Sequence, residues 1–200
     1  MNRNMVIQDL IKFIEGEIDF NDFWKNYLSN SSYKAIFDIN LGDKFKHSWK
    51  GTVCDYINLF NVKTSRGRLS IFGAAKQFLI VNGYEIRPTE FYSKEFSFKL
   101  SIQPSYVSIE DEDFLNQIIE SAPNDLTKTN QKKWIKDKIK SLFLFDKKPP
   151  KWIQEPEWPL EDGKPLVFMK QTKELLNDER VFYTFYNPES KKETIVTQFY

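Results

Sequence analysis

The sequence contains one cysteine, Cys54, and one histidine, His47. A lone thiol forms no internal disulfide, which excludes a disulfide-stapled scaffold and fits a reducing cytosol. A single imidazole beside a single thiol excludes most histidine- or thiol-based metal and redox sites. Glycine is scarce, at 7 residues, and neither GxxxxGK[ST] nor GxGxxG occurs, so no phosphate-cradling loop can be traced. Net charge is almost nil: 29 Lys+Arg against 28 Asp+Glu leave +1. So balanced a chain has no global field to draw in nucleic acid or anionic lipid. Long hydrophobic runs are missing too. The most apolar stretch, 69–81, contains Lys76 and Gln77 and is too short to span a bilayer. The opening residues, interrupted by Asp9, Lys12 and Glu15, lack the apolar core of a signal peptide. Together these features predict a soluble, cytoplasmic protein with no membrane contact.

What is abundant is aromatic: 18 Phe, 9 Tyr and 5 Trp. The hydrophobic fraction of 40% and charged fraction of 28% are those of an ordinary globular chain. Two hundred residues make one large domain or two small ones. Rich packing chemistry beside a poor catalytic alphabet points to a binding protein. It is expected to be no enzyme and to use no cofactor and no metal.

The first third reads as helices. Val6, Ile7, Leu10, Ile11, Phe13 and Ile14 recur at three- and four-residue intervals, and Gly16 supplies a stop. Asp19 is placed to cap a second helix over 20–28, with Phe20, Phe23, Trp24, Tyr27 and Leu28 on one face. A short third helix runs to Phe37. The helical period returns over 51–60 and more strongly over 69–81, which Asn82 and Gly83 end. Residues 84–107 stay ambiguous between helix and strand. A soft boundary is placed near residue 106.

Beyond it, charge separates. Residues 108–127 hold six acids and no base, whereas 128–151 hold nine lysines and two acids. The acidic run 110–113 opens a helix with Phe114, Leu115, Ile118, Ile119 and Ala122 on its apolar face. A second helix, about 129–144, turns Trp134, Ile135, Ile139, Leu142 and Phe143 inward and lysines outward. Five of the nine prolines then fall between 149 and 165. That run is expected to be extended and stiff throughout. After it come a short apolar run, 166–169, and two segments, 181–186 and 194–200, that read as a β-hairpin around the turn 187–190. Apolar residues on both faces make 181–186 the central strand. The expected fold is α+β: a helical N-terminal portion, 1–106, packed on a C-terminal unit, 107–200, of two helices and a small antiparallel sheet. One domain or two remains open at this point.

Each candidate site has a plainer alternative. His47 and Cys54 match no nucleophile motif, and Cys54 on an amphipathic helix reads as structural. Neighbouring acids at 110–113 point in different directions around a helix, so a dipole-favoured start outweighs a Mg²⁺ site. Ser65, Arg66, Gly67 and Arg68 read as a polar lead into the following helix before a phosphate grip. The lysines at 132, 133, 136, 138 and 140 are the best nucleic-acid candidates, yet they sit where any amphipathic helix puts them. Trp152 and Trp158, on stiff proline-rich chain, are either preorganised anchors for a partner or a cover folded back over the sheet. We take Trp152, Glu155, Glu157 and Trp158, with Glu110, Asp111 and Asp113, as candidate partner-binding residues.

Three stretches carry a family resemblance. Ile14, Gly16, Ile18, Phe20, Phe23 and Trp24 give an IxGxIxFxxFW-like start. Pro149, Pro150, Lys151, Trp152, Glu157, Trp158 and Pro159 follow, with Gly163, Lys164, Pro165 and Leu166 behind them. Tyr183, Phe185, Tyr186, Asn187 and Pro188 lie near the end. Together they resemble the immunity proteins encoded beside bacterial polymorphic toxins. The resemblance implies a protein that binds and blocks a cognate toxin by occlusion, with no catalytic residue carried over. A strongly cationic toxin fits the net charge only if the 110–125 acids form the contact patch. The other option is an acidic toxin met by the 128–151 lysines. The alternatives are a protein-binding adaptor or scaffold and, below it, a nucleic-acid-binding protein using 128–151.

Overall fold

A computed structural model describes residues 3–45, 49–109, 111–174 and 180–200. The chain is α+β and divides into two compact units, Met1–Phe98 and Lys99–Tyr200, eight residues before the boundary expected from sequence. Each unit has its own apolar core.

The first unit is helical. Helix α1 (Arg3–Glu15) buries Val6, Ile7, Leu10, Phe13 and Ile14, the residues that its period selects. It stops at Gly16, whose φ of +87° suits glycine alone. Asp19 caps α2 (Phe20–Ser29) by accepting from the Asp22 N–H at 2.9 Å. Phe20, Phe23 and Tyr27 turn inward, while Leu28, placed on the same face by its spacing, is exposed. Helix α3 (Ser31–Phe37) follows under an Asn30 cap, and a 3₁₀ turn spans Gly42–Lys44. The core is aromatic: the Phe13 ring stacks on Phe23 at 4.1 Å and meets Phe72 edge-on at 5.6 Å.

Two helices of this unit depart most from their expected bounds, and capping explains both. The period predicts a helix over 51–60, but α4 is only Val53–Ile57. A capping box between Thr52 and Asp55 fixes its start after Gly51, and Asn58 is its C-cap. Helix α5 (Ser65–Val81) begins four residues before Leu69 because Thr64 accepts from the Gly67 N–H. The polar lead is thus its first turn. Gly67 is required there: a Cβ would lie 1.9 Å from the Asn61 carbonyl oxygen. The ambiguous stretch resolves as α6 (Phe91–Ile102), which gives Tyr92 to the first core and Ile102 to the second.

The second unit pairs two helices with a sheet. Helix α7 (Glu112–Glu120) is capped by Asp111, which accepts from the Phe114 N–H. Helix α8 (Lys128–Leu142) is capped by Thr127 and buries Ile135 and Ile139. The proline run is not extended throughout: it bends at 153–155 and closes on a hairpin at its end. Strands β1 (Leu160–Glu161) and β2 (Lys164–Pro165) form a tiny hairpin. Asp162 and Gly163 turn it, both at positive φ, as a two-residue Asp-Gly loop favours.

Strands β3 (Val167–Glu174), β4 (Arg180–Asn187) and β5 (Lys192–Phe199) form an antiparallel sheet in the order β3-β4-β5. The aromatic strand is therefore central, and it forms the expected hairpin with β5. Strand β3 runs beyond the expected end at Met169. Its exposed continuation, Lys170 to Glu174, has no apolar alternation to reveal it. Pairing shifts register between Phe168 and Lys170, a bulge on this edge.

Candidate functional site

The segment 148–158 crosses the sheet's inner face, and its own chemistry explains how it is held. Prolines 149, 150 and 156 donate no N–H, so the segment cannot join the ladder as a strand. Buried backbone groups still need partners. Side chains of the sheet supply them. Gln198, fully buried, accepts from the Ile153 and Gln154 N–H groups at 3.2 and 3.1 Å and donates to the Glu155 carbonyl at 2.7 Å. The Tyr183 hydroxyl donates to the Lys151 carbonyl at 3.0 Å and accepts from Ile153 N–H at 3.1 Å. Burial raises the Tyr183 phenol above its ordinary range, which keeps that donor protonated. Gln171 accepts from the Lys151 N–H.

Both indoles are anchored. Trp152 donates to the Tyr106 carbonyl at 2.9 Å and lies 4.3 Å from the Tyr183 ring. Trp158, 6% exposed, donates to the Leu166 carbonyl at 2.7 Å and meets Phe143 and Phe185 edge-on, each at 5.3 Å. Of the two sequence alternatives, Trp158 takes the role of cover. It offers no free indole to a partner, because its ring is part of the second core. Trp152 is half-buried and keeps a face towards a cleft.

Two clefts flank the segment. One, about 280 Å³, is floored by Ile109, Phe143, Trp158 and Leu160 and rimmed by Asp111 and Glu157. The other, about 440 Å³, has Trp152 and Tyr106 in its wall with Lys148 and Lys151 beside them. Three of the expected contact residues, Asp111, Glu157 and Trp158, therefore meet at one cleft. Asp113 and Glu155 are exposed but do not line it, and Trp152 lies on the other cleft. Glu110 lies outside the described residues, as does His47.

The remaining candidates have structural partners. Arg68 is ion-paired with Glu95 at 2.6 Å and donates to the Lys63 carbonyl, so the 65–68 segment is tied into its own unit. Cys54 is half-buried, with its Sγ 3.3 Å from the Tyr27 hydroxyl. Among the described residues no group of three or more His, Cys, Asp or Glu side chains is placed to hold a metal ion. No helix among them is long and apolar enough to cross a membrane. On α8, Lys132, Lys133, Lys138 and Lys140 are exposed, and Lys140 lies 3.6 Å from Asp137.

One member of the acidic run behaves unlike the others. Glu112 is buried and forms an ion pair with Lys99, itself buried in the last turns of α6. The same period that finds the core could have revealed both. Glu112 shares a face with Leu115, and Lys99 is followed at three residues by Ile102. Gln198 was legible in the same way, since it follows Thr194 and Val196 in the inward alternation of β5.

No family model matches the chain, and no curated protein and no solved structure proved similar to it.

Proposed function

We propose that the chain is a cytoplasmic, non-enzymatic immunity protein that binds a cognate bacterial toxin and blocks it by occlusion. The contact surface is the cleft rimmed by Asp111 and Glu157. The observation that carries this proposal is the meeting of two exposed carboxylates over an aromatic floor whose indole is already hydrogen-bonded and packed. A floor fixed before binding loses little freedom when a partner arrives. Carboxylates at the rim steer a cationic surface and set its register. The complementary element is a lysine or arginine of the toxin, its aliphatic stem on Leu160 and Ile109 and its charge between the acids.

Co-expression with the neighbouring gene product tests the function. That product should be toxic alone and harmless beside this chain. The double variant Asp111→Asn, Glu157→Gln should lose protection while its melting temperature stays unchanged, because asparagine still caps α7. A neighbour that is harmless alone would instead favour an adaptor or scaffold. The exposed lysines of α8 favour a second reading, nucleic-acid binding, whose signature is affinity that falls steeply with salt.

A further inference from the structure

The two edges of the three-stranded sheet are built differently. The β3 edge is blunted in three ways: a bulge after Phe168, exposed Lys170 and Lys173, and a bridge from Phe145 to Phe168. These are the devices by which proteins prevent edge pairing. Among the described residues the β5 edge has no bulge and no bridge, and its one lysine, Lys192, stands at the start of the strand beside the turn. Its eight residues contain no proline, and they pair with β4 without a register shift. Ile195 is 59% exposed and Phe199 50%. At one end, the Gln154 amide donates to the Phe199 carbonyl. At the other, the strand begins beside the hairpin turn at Lys192. Among the described residues nothing covers the stretch between, 193–197, whose centre is Ile195.

We propose that β5 pairs antiparallel with β5 of a second copy of this chain, about a two-fold axis through Ile195. Such an axis, normal to the sheet, keeps each face continuous. Ile195 then faces the second copy's Ile195, Glu193 faces the second copy's Thr197, and Thr194 faces the second copy's Val196. The cationic end of each strand, Lys191 and Lys192, approaches the aromatic end of the other. Those rings already accept cations within one copy: Arg180 lies 5.5 Å from the Phe199 ring, and Lys173 Nζ lies 4.5 Å from that of Tyr200. Pairing makes one six-stranded sheet whose two remaining edges are both the blunted β3. The assembly therefore closes at two copies and does not grow into a fibre.

Light scattering on the full chain should give the mass of two copies. Ile195→Lys, at an exposed position, should give one copy with an unchanged circular dichroism spectrum. Met169→Lys, on the opposite edge, should leave two copies. In a Cys54→Ser background, Ile195→Cys should form a disulfide-linked dimer on mild oxidation, because facing residues at a two-fold have Cα atoms about 4.5–5.5 Å apart. A wild-type mass of one copy overturns the proposal. So does a dimer that survives Ile195→Lys, or a thiol at 195 that never cross-links. A monomer whose β5 instead takes a strand from a foreign protein overturns it as well. Should Ile195→Lys unfold, the cysteine variant decides.

Discussion

The two units are nearly equal in length but are closed by different chemistry. In residues 1–98, helices adjacent in sequence bring rings together: Phe13, Phe20 and Phe23 form one cluster within α1 and α2. In residues 99–200, an extended segment is tied to a sheet by side-chain hydrogen bonds that span 30 to 45 residues of chain. The first core is an apolar solution to an apolar pattern. The second also contains buried polar groups that need partners, so removing one partner should cost more than replacing both.

The largest effect should come from the Lys99–Glu112 pair. Both side chains are less than a tenth exposed. Lys99→Met leaves a buried carboxylate without its cation and should cost about 3–5 kcal/mol in denaturant unfolding. The double variant Lys99→Met, Glu112→Leu should recover most of that loss, since packed apolar groups replace a buried pair well. A double variant no better than the single one would show that the loss does not come from an uncompensated Glu112 carboxylate.

Phe13→Ala tests the other side of the comparison. The ring is fully buried and stacked, and its loss should cost about 3–5 kcal/mol. Hydrogen exchange read by peptide fragments should rise across α1, α2 and α5 while β4 stays protected. Equal loss of protection in β4 would mean that the two cores do not unfold separately.

Gln198→Leu is nearly a change of shape alone, so it isolates the polar network. It leaves the Ile153 and Gln154 N–H groups and the Glu155 carbonyl without the amide that joins them. The expected cost is about 1–3 kcal/mol. The Trp152 indole, which lies beside this network, should become more accessible to acrylamide quenching. Unchanged quenching would show that the bonds to Tyr183, Gln171 and Tyr106 hold the segment in place without Gln198.

The same division decides what the sequence revealed. Periodicity located α1, α2 and α5, because in a helical unit neighbours in sequence are neighbours in space. Caps set the true ends, and nothing in the pattern marks Thr64, because it precedes an arginine-rich turn with no apolar signal. In the second unit the strands of the hairpin were legible from their β-branched and aromatic content, whereas the fold-back of 148–158 was not. Its hydrogen bonds reach residues such as Tyr183 and Gln198, and no local pattern encodes such a distance. The acidic rim was half legible for the same reason. Asp111 was visible as part of a charge run, and Glu157 as part of the proline segment, but their meeting at one cleft is a tertiary event.

The smallest effect at neutral pH should separate the units most clearly in alkali. In the first unit, burial pushes the Tyr27, Tyr33 and Tyr92 phenols up, and that of Tyr92 reaches about 12. Cys54 adds to the shift at Tyr27, Asp9 at Tyr33, and Asp19 with Glu95 at Tyr92. An unfolded tyrosine ionises near its model value of 10.0, so above that pH the unfolded chain releases protons that the folded unit retains. Fewer bound protons in the unfolded state mean that stability falls as pH rises. The contribution is intact below pH 10 and is progressively lost above it. The second unit has smaller upward shifts, at Tyr106 and Tyr183. Denaturant titrations followed by the methyl NMR signals of Ile71 and Ile139 should therefore coincide in their pH dependence up to pH 10. Above it, the midpoint at Ile71 should fall faster than that at Ile139. Parallel decline at the two sites would show that the cores unfold as one, and that the tyrosines of the first govern the stability of both.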